Sequence, residues 1–512
     1  MELRLLHNAW SNLLGAAVPA LAALATVPLV VAGLGEANYG LYALVTSIVG
    51  YFAVIDINVT AGSVKYIAAQ HARAEPEQIA RTLSFGGATY ALIGVAGGLG
   101  LFFGARFLAG QVFALPPQLS GDAVACLRLA ALGFFLGQLQ SYLHSVPQAL
   151  MRFDVSSRLE IVFGTLVPLL TVAVLMLGFG LFGIIALRVA ASAIHCLLLW
   201  RAVARLLPGL RWRWPGRALR RGILGYSAYS FLSRFAALSY AHADKLIIGA
   251  LVGVTGLAYF TVAATLASRV LGLTFRLSGV FFPAASMLAA GGELGRLDHA
   301  YLKATRYVVY LNAAMLVLLA VFAEPLLRYW MNPDFAAHGA AVLALMALAQ
   351  FVDSLTSLPS LVNDGMGHPR VSGLFAVTRA LAGLLIVYLG VAGWGIAGAA
   401  WGHLLASLLF TGAFLAFVHG RTVPTSLARL CTHGLLPGMA GAAGVAALAA
   451  FAALTGSWLH RGALAFAMVL ATTLALLGLA GMLFVVERED RRWAWAQLRT
   501  RVRARIRALA GG

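Results

Sequence analysis

The chain has 512 residues, of which 61% are hydrophobic and only 11% charged. A globular domain carries roughly 25% charged residues because its surface faces water, so a soluble fold is excluded. The formal net charge is +19, yet the basic residues, nearly all arginine, sit between apolar runs rather than along one polar face. That is the charge layout of membrane loops, not of a nucleic-acid interface.

Segments of about 20 mostly apolar residues, the length that crosses a bilayer, follow one another along the whole chain. They predict an all-α integral membrane protein with about fourteen spans, near 10–34, 39–63, 82–104, 123–149, 157–178, 181–200, 222–248, 255–284, 303–323, 338–362, 371–391, 394–418, 433–455 and 462–486. Neighbouring spans come closest at 178–181 and 390–394. The first run is longer than a signal-peptide core and ends in no small-residue cleavage site, so it reads as a retained span. The 55 glycines suit close helix packing in lipid. Cys126, Cys196 and Cys431 are far apart and form neither a metal motif nor a disulfide framework.

With the N-terminus cytoplasmic, 27 of the 37 basic residues fall in cytoplasmic segments. Only Arg106, Lys245, Arg328 and Arg461 fall outside, while Arg128, Arg188, Arg234, Arg269, Arg276 and Arg379 lie within spans. This asymmetry follows the positive-inside rule and places both termini in the cytoplasm. The layout reads as a six-helix bundle (1–205), a basic linker (206–221), a second six-helix bundle (222–420), two further spans (421–486) and a tail (487–512). In the tail Trp495, Leu498, Val502, Ile506 and Leu509 recur at helical spacing among arginines, the pattern of a helix lying on an anionic leaflet. A faint repeat supports two related halves: Gly35 with Tyr42 and Gly253 with Tyr259 each open a span. Parallel repeats of this kind are a transporter architecture.

The stretch 34–69, LGEANYGLYALVTSIVGYFAVIDINVTAGSVKYIAA, resembles the start of the polysaccharide transporters, the Wzx-like flippases of the multidrug/oligosaccharidyl-lipid/polysaccharide (MOP) exporter superfamily. The shared features are Gly35, the Gly40-Leu41-Tyr42 turn, Asp56 near the end of span two, and the exit Lys65-Tyr66-Ile67-Ala68. The resemblance implies a MATE-like pair of six-helix bundles in a V around a central cavity, plus two C-terminal helices. It implies translocation of an undecaprenyl-diphosphate-linked oligosaccharide (an O-antigen, exopolysaccharide or capsule repeat unit) to the outer leaflet by alternating access. It also implies a bacterial plasma membrane, and the polysaccharide polymerase machinery as a partner. Drug exporters of the superfamily usually stop at twelve spans, so spans thirteen and fourteen favour the lipid-linked-sugar branch.

Ionisable residues at membrane depth are costly and mark functional candidates. Arg234 falls near the middle of span seven among Tyr226, Tyr229, Ser230, Ser233, Ser239, Tyr240 and His242. Arg269 and Arg276 share a face of span eight, and Arg379 lies in span eleven. A diphosphate needs fixed, forked positive charge, which arginine supplies, so these four are candidates for the diphosphate site. The competing reading is a structural arginine paired to a helix end or an acid. Gln138, Gln140, Tyr142 and His144 in span four, with Tyr229, could line a path for sugar hydroxyls, with plain interhelical hydrogen bonding as the competitor. Asp56 and Asp353 are acids at depth, able to carry a coupling H+ or Na+ or to hold a salt bridge; Asp244-Lys245 reads as a gating or structural pair. No cofactor or metal site is expected.

A membrane glycosyltransferase or polymerase would need catalytic acids on a sizeable loop. The largest outer loops offer only Asp122, Glu324 and Asp334, and no P-loop is present. A cation-coupled drug exporter of the same superfamily is the nearer rival, but it would want an acidic cavity where this chain buries arginine.

Overall fold

The computed structural model describes residues 2–56, 58–209, 211–278, 281–455 and 462–492. Regular structure among these residues is entirely helical. Ten of the described helices are long and apolar enough to cross a membrane, and shorter apolar helices occupy Val18–Leu34 and Val254–Ser268. The fold class is therefore the expected all-α membrane architecture. Ten is fewer than the fourteen spans read from the sequence: other predicted spans fall on shorter helices, on the more polar Arg217–Leu251, or on half of one 53-residue helical run.

The chain divides into two compact units. The first, residues 1–261 and 376–399, holds α1 (Glu2–Leu34), α2 (Glu36–Phe52), α3 (Val59–Ala72), α4 (Pro76–Phe107), α5 (Pro117–Ala149), α6 (Phe153–Met176), α7 (Gly180–Leu206) and α8 (Arg217–Leu251). It also takes the start of α9 (Val254–Ser278). The second unit, residues 262–375 and 400–512, holds α10 (Phe281–Ala290), α11 (Leu294–Val321), α12 (Ala323–Trp330), α13 (Pro333–Ser354) and α14 (Ser357–Gly365). α15 (Pro369–Arg421) contributes residues to both units, and the one-turn α16 (Leu427–Arg429), α17 (Leu436–Thr455) and α18 (Ala463–Ala480) complete the second.

Helix starts follow local chemistry. Pro76, Pro117, Pro333 and Pro369 stand in the first turns of α4, α5, α13 and α15, where the missing N–H costs nothing. Asn332 caps α13, its side-chain oxygen accepting the Phe335 N–H at 2.9 Å. Gly35 and Gly253, the two repeat glycines, both adopt positive φ (74° and 95°) directly before α2 and α9. α15 is two helices joined where Trp394 and Gly395 leave helical geometry, which is where spans eleven and twelve meet in the sequence reading.

In the first unit α4 and α5 approach so closely at Gly86 that a Cβ there would overlap the Tyr142 ring. The Tyr142 hydroxyl uses that space to donate to the Thr82 and Leu83 carbonyls, each at 3.3 Å. In the second unit α11 seats the two C-terminal helices. Gly438 and Gly441 of α17 lie against Val309 and Tyr310, Gly481 abuts the Tyr310 ring, and the Tyr310 hydroxyl donates to the Leu477 carbonyl. A charged clamp closes this contact: Lys303 pairs with Asp490 (2.7 Å) and Glu487 (3.2 Å), Arg306 with Glu487 (2.7 Å), and Tyr307 donates to Asp490 (2.5 Å).

Burial opposes the Asp490 charge, but the Lys303 and Tyr307 hydrogen bonds and the nearby cations outweigh it and hold the carboxyl below the usual aspartate range. A folded-state value below the unfolded one gives stability that is complete above the unfolded aspartate value, about 3.9, and is lost as pH falls through the folded value. Wild type should therefore unfold at higher temperature than Asp490→Asn near neutral pH, and the gap should close below about pH 4. Thermal scans of the detergent-solubilised chain check this. Gly86→Ala should cost about 1–3 kcal/mol by displacing Tyr142, read by the same scans in denaturant.

Candidate functional site

Span two of the sequence reading is not one helix. α2 ends in a tight 3₁₀ turn, Ala53–Ile55, and α3 restarts at Val59. Between them Asn58 takes a left-handed backbone (φ 57°), a conformation that asparagine tolerates better than most residues. Asp56 sits in this break at 1% exposure. Its Oδ1 accepts the Asn58 N–H at 2.8 Å, so the carboxylate supplies a backbone partner that the interrupted helix has lost.

A buried relay continues from it. The Tyr90 hydroxyl of α4 faces the Asp56 carboxylate, bonds the Thr60 hydroxyl and accepts the Thr60 N–H at 3.3 Å. The Tyr90 ring stacks on Tyr142 of α5 at 5.2 Å between centroids. One turn before Gly86, Thr82 donates to Gln70 of α3 at 2.9 Å. A carboxylate, two hydroxyls and the exposed ends of two half-helices thus meet in one place, the arrangement from which transporters build proton or cation sites. Among the described residues no cluster of three or more His, Cys, Asp or Glu could hold a metal ion.

Beside this break runs α8. Its side of the site is polar: Ser227, Ser239 and Asp244 are buried. Asp244 and Lys245 form an adjacent pair at 3.3 Å, and the Lys245 ammonium also donates to the Ala241 carbonyl at 3.0 Å. Arg379 of α15 lies over the Tyr240 ring at 4.9 Å and donates to its hydroxyl at 3.2 Å. Cation–π contact and hydrogen bond together fix the position of the guanidinium. The side chains of Arg234, Arg269, Arg276 and Tyr229 lie outside the described residues.

The span-four candidates point different ways. Gln138 and Tyr142, one turn apart, are buried. Gln140 instead donates to His195 of α7 (3.0 Å), whose ring stacks on Phe163 of α6 (4.3 Å), and His144 accepts from Gln148 (3.3 Å). Asp353 ends α13 in the second unit, buried at a second helix break where Thr356 donates to its backbone carbonyl at 2.8 Å. Arg128 and Arg188 lie over the rings of Phe102 and Tyr42, each at 5.1 Å. Asn58, Thr60 and Tyr90 are additions that the sequence reading lacked. Their signal was the turn-forming Asp56-x-Asn58 inside an apolar run.

The profile of a family described as "Polysaccharide biosynthesis protein" matches residues 34–336. No curated protein matches the sequence. Among solved structures the chain is similar to a multidrug resistance MATE family transporter of the MOP superfamily in an inward-facing conformation (TM-score 0.70, 15% identity, 82% of this chain and 98% of that one). It is also similar to the lipid II flippase MurJ in an inward closed conformation (TM-score 0.71, 12% identity, 90% and 97%). A third is a MOP superfamily transporter from Pyrococcus furiosus, described as having a binding pocket of reverse polarity (TM-score 0.57, 16% identity, 82% and 94%). At these identities the likeness is one of fold.

Tyr90→Phe removes the hydroxyl that Thr60 and Asp56 share and should destabilise the chain by about 1–3 kcal/mol. A double-mutant cycle with Thr60→Val, read by denaturant unfolding in detergent, should be non-additive. Additive losses would mean that the hydroxyl contact contributes nothing.

Proposed function

Because the chain belongs to the polysaccharide biosynthesis protein family and has the fold of the MOP-superfamily transporters, we propose that this membrane transporter flips an undecaprenyl-diphosphate-linked oligosaccharide from the cytoplasmic to the outer leaflet. The observation that carries the reading is Arg379: a guanidinium within an apolar span, set over the Tyr240 ring and bonded to its hydroxyl. Such a group suits an anion that must leave water, because its charge is fixed in place and its forked donors match diphosphate oxygens. Arg234, in the same unit, is proposed for the same role, and Arg269 and Arg276 of α9 are proposed as diphosphate contacts in the second unit. Gln138, Gln140, Tyr142, His144 and Tyr229 would meet sugar hydroxyls as the site changes sides.

A diphosphate anion leaving the negative interior moves with the membrane potential, so a coupled cation would act on the return of the empty carrier. Asp56 is the proposed carrier of H+ or Na+, because a buried carboxylate beside neutral hydroxyls is neutralised at least cost by a proton or a small cation. Asp353 and the Asp244-Lys245 pair are proposed as gating groups that exchange partners during the cycle. The positive-inside asymmetry supports cytoplasmic termini, and the family supports a bacterial plasma membrane, within reach of the polymerase machinery that would use the flipped unit. A MATE-type cation-coupled drug exporter is the second reading, supported by the MATE-like fold.

The test is complementation of a deletion strain with wild type, Arg379→Gln or Arg234→Ala, matched for expression. The proposal expects both variants to lose at least tenfold in surface polysaccharide while lipid-linked oligosaccharide accumulates inside. Normal polymer in the deletion strain, together with new sensitivity to cationic drugs, would move the protein to the exporter reading.

A further inference from the structure

The segment between α7 and α8 is strapped to the first unit rather than left as a free loop. Arg213 ties it to α4 twice: its guanidinium pairs with Glu77 at 2.9 Å, and its backbone N–H donates to the Ser84 hydroxyl at 3.1 Å. Glu77 and Ser84 are seven residues apart, so the strap follows two turns of one helix face. The Trp214 ring meets Phe85 edge-on at 6.1 Å, and the next residue, Pro215, is buried. What the strap leaves outside is cationic and aromatic. Arg211, Arg217 and Arg221 are exposed, as are Arg201 and Arg205 near the end of α7, and none of these five side chains has an acid or other polar partner among the described residues. Trp212 is 68% exposed, and Trp214 keeps 54% of its surface open despite the Phe85 contact.

We propose that this strap is a docking surface for anionic phospholipid headgroups of the adjoining leaflet, with Arg211, Arg217 and Arg221 taking the phosphates and Trp212 seated beside the glycerol and ester groups. The arginines alone would fit any anion; the tryptophans select the membrane. Indole rings, with an apolar body and one polar edge, concentrate at the membrane–water interface, so the open pair sets the strap at headgroup depth. The start of α8 supplies a second reason. Arg217, Arg220 and Arg221 all stand in its first five residues, where free N–H groups and the helix dipole already repel cations. That end has no acid in its first turn and no side-chain cap, and the Arg220 Nε is buried without a partner. Three cations at a helix N-terminus carry a cost that an external phosphate removes, because it meets the guanidinium forks and the free N–H groups together. Several headgroups side by side match charge spread along residues 211–221, whereas a single small anion would meet only part of it. α8 also bears Tyr240 and the Asp244–Lys245 pair, so lipid bound at its first turn holds the start of the helix that carries them. The anionic lipid content of the leaflet then sets how firmly that helix is held.

The experiment titrates the purified full chain in detergent with dioleoyl phosphatidylglycerol, dioleoyl phosphatidylcholine and farnesyl diphosphate, counting bound molecules by native mass spectrometry. It compares wild type with the triple variant Arg211→Gln, Arg217→Gln, Arg221→Gln and with the charge-keeping triple Arg211→Lys, Arg217→Lys, Arg221→Lys. Wild type should prefer phosphatidylglycerol to phosphatidylcholine, and the Gln triple should bind phosphatidylglycerol at least about tenfold more weakly, since three cations near an anionic headgroup are lost. The Lys triple should keep most of the binding. Melting in lipid nanodiscs adds a readout that simple misfolding would not produce. In phosphatidylcholine discs the Gln triple should melt no lower than wild type, because it relieves the cations at the helix N-terminus. In phosphatidylglycerol discs wild type should melt higher. Equal phosphatidylglycerol affinity in wild type and the Gln triple, or the same melting order in both discs, would overturn the proposal. A Gln triple that loses farnesyl diphosphate but keeps phosphatidylglycerol overturns it too, and assigns the arginines to a diphosphate-bearing lipid instead.

Discussion

Inside a bilayer no water is available to a backbone N–H or C=O, so a helix can be interrupted only where something else takes the freed groups. That constraint organises the structure. At the end of α2 the chain gives up helical bonds, and the Asp56 carboxylate supplies one partner and the Tyr90 hydroxyl another. At the end of α13 the Thr356 hydroxyl meets the freed carbonyl of Asp353. At Trp394–Gly395 the solution is different: the chain turns where glycine permits a positive φ, and α15 becomes two helices. At Asp56 and Asp353 polar chemistry collects where helices break, because there the backbone requires it.

The same scarcity of water explains how arginines are carried at depth. Arg128, Arg188 and Arg379 each lie over an aromatic ring. A ring face offers a cation electrostatic support, and Arg379 has the Tyr240 hydroxyl in addition. The clamp of Lys303 and Arg306 with Glu487 and Asp490 is the contrasting case: charges at the end of a helix pair with each other and serve to dock the C-terminal helices on α11.

How much of this was legible in the sequence follows from the same physics. Lipid demands long apolar runs, so the all-α membrane class could be read from composition, as could the junction of spans eleven and twelve at residues 390–394 and the helix starts at Gly35 and Gly253. The breaks were not read, because a window of about 20 residues averages over two or three polar positions. Asp56 and Asp353 were recognised as buried acids, but the reason they are tolerated, a discontinuous helix, was hidden in that average. Span four showed its polar residues as one group. The helical twist sends Gln140 toward His195 and Tyr142 toward α4, a division that depends on which neighbours pack where.

Glycine makes the remaining connection between packing and chemistry. Tyr142 can bury its hydroxyl against α4 because Gly86 has no side chain, and its ring then backs Tyr90, whose hydroxyl serves the α2–α3 break. Gly50 and Gly62 do the same on the other side, admitting α8 to close range just before and just after that break. The acid, the relay behind it and the polar helix in front of it therefore depend on three positions that carry no functional group. In a membrane protein, where helices gain little from hydrophobic association, this close approach is itself a main source of packing energy. The features that hold the first unit together are thus the ones that set the surroundings of Asp56, and a change that loosened the packing at Gly50, Gly62 or Gly86 would alter that carboxylate's environment without touching it.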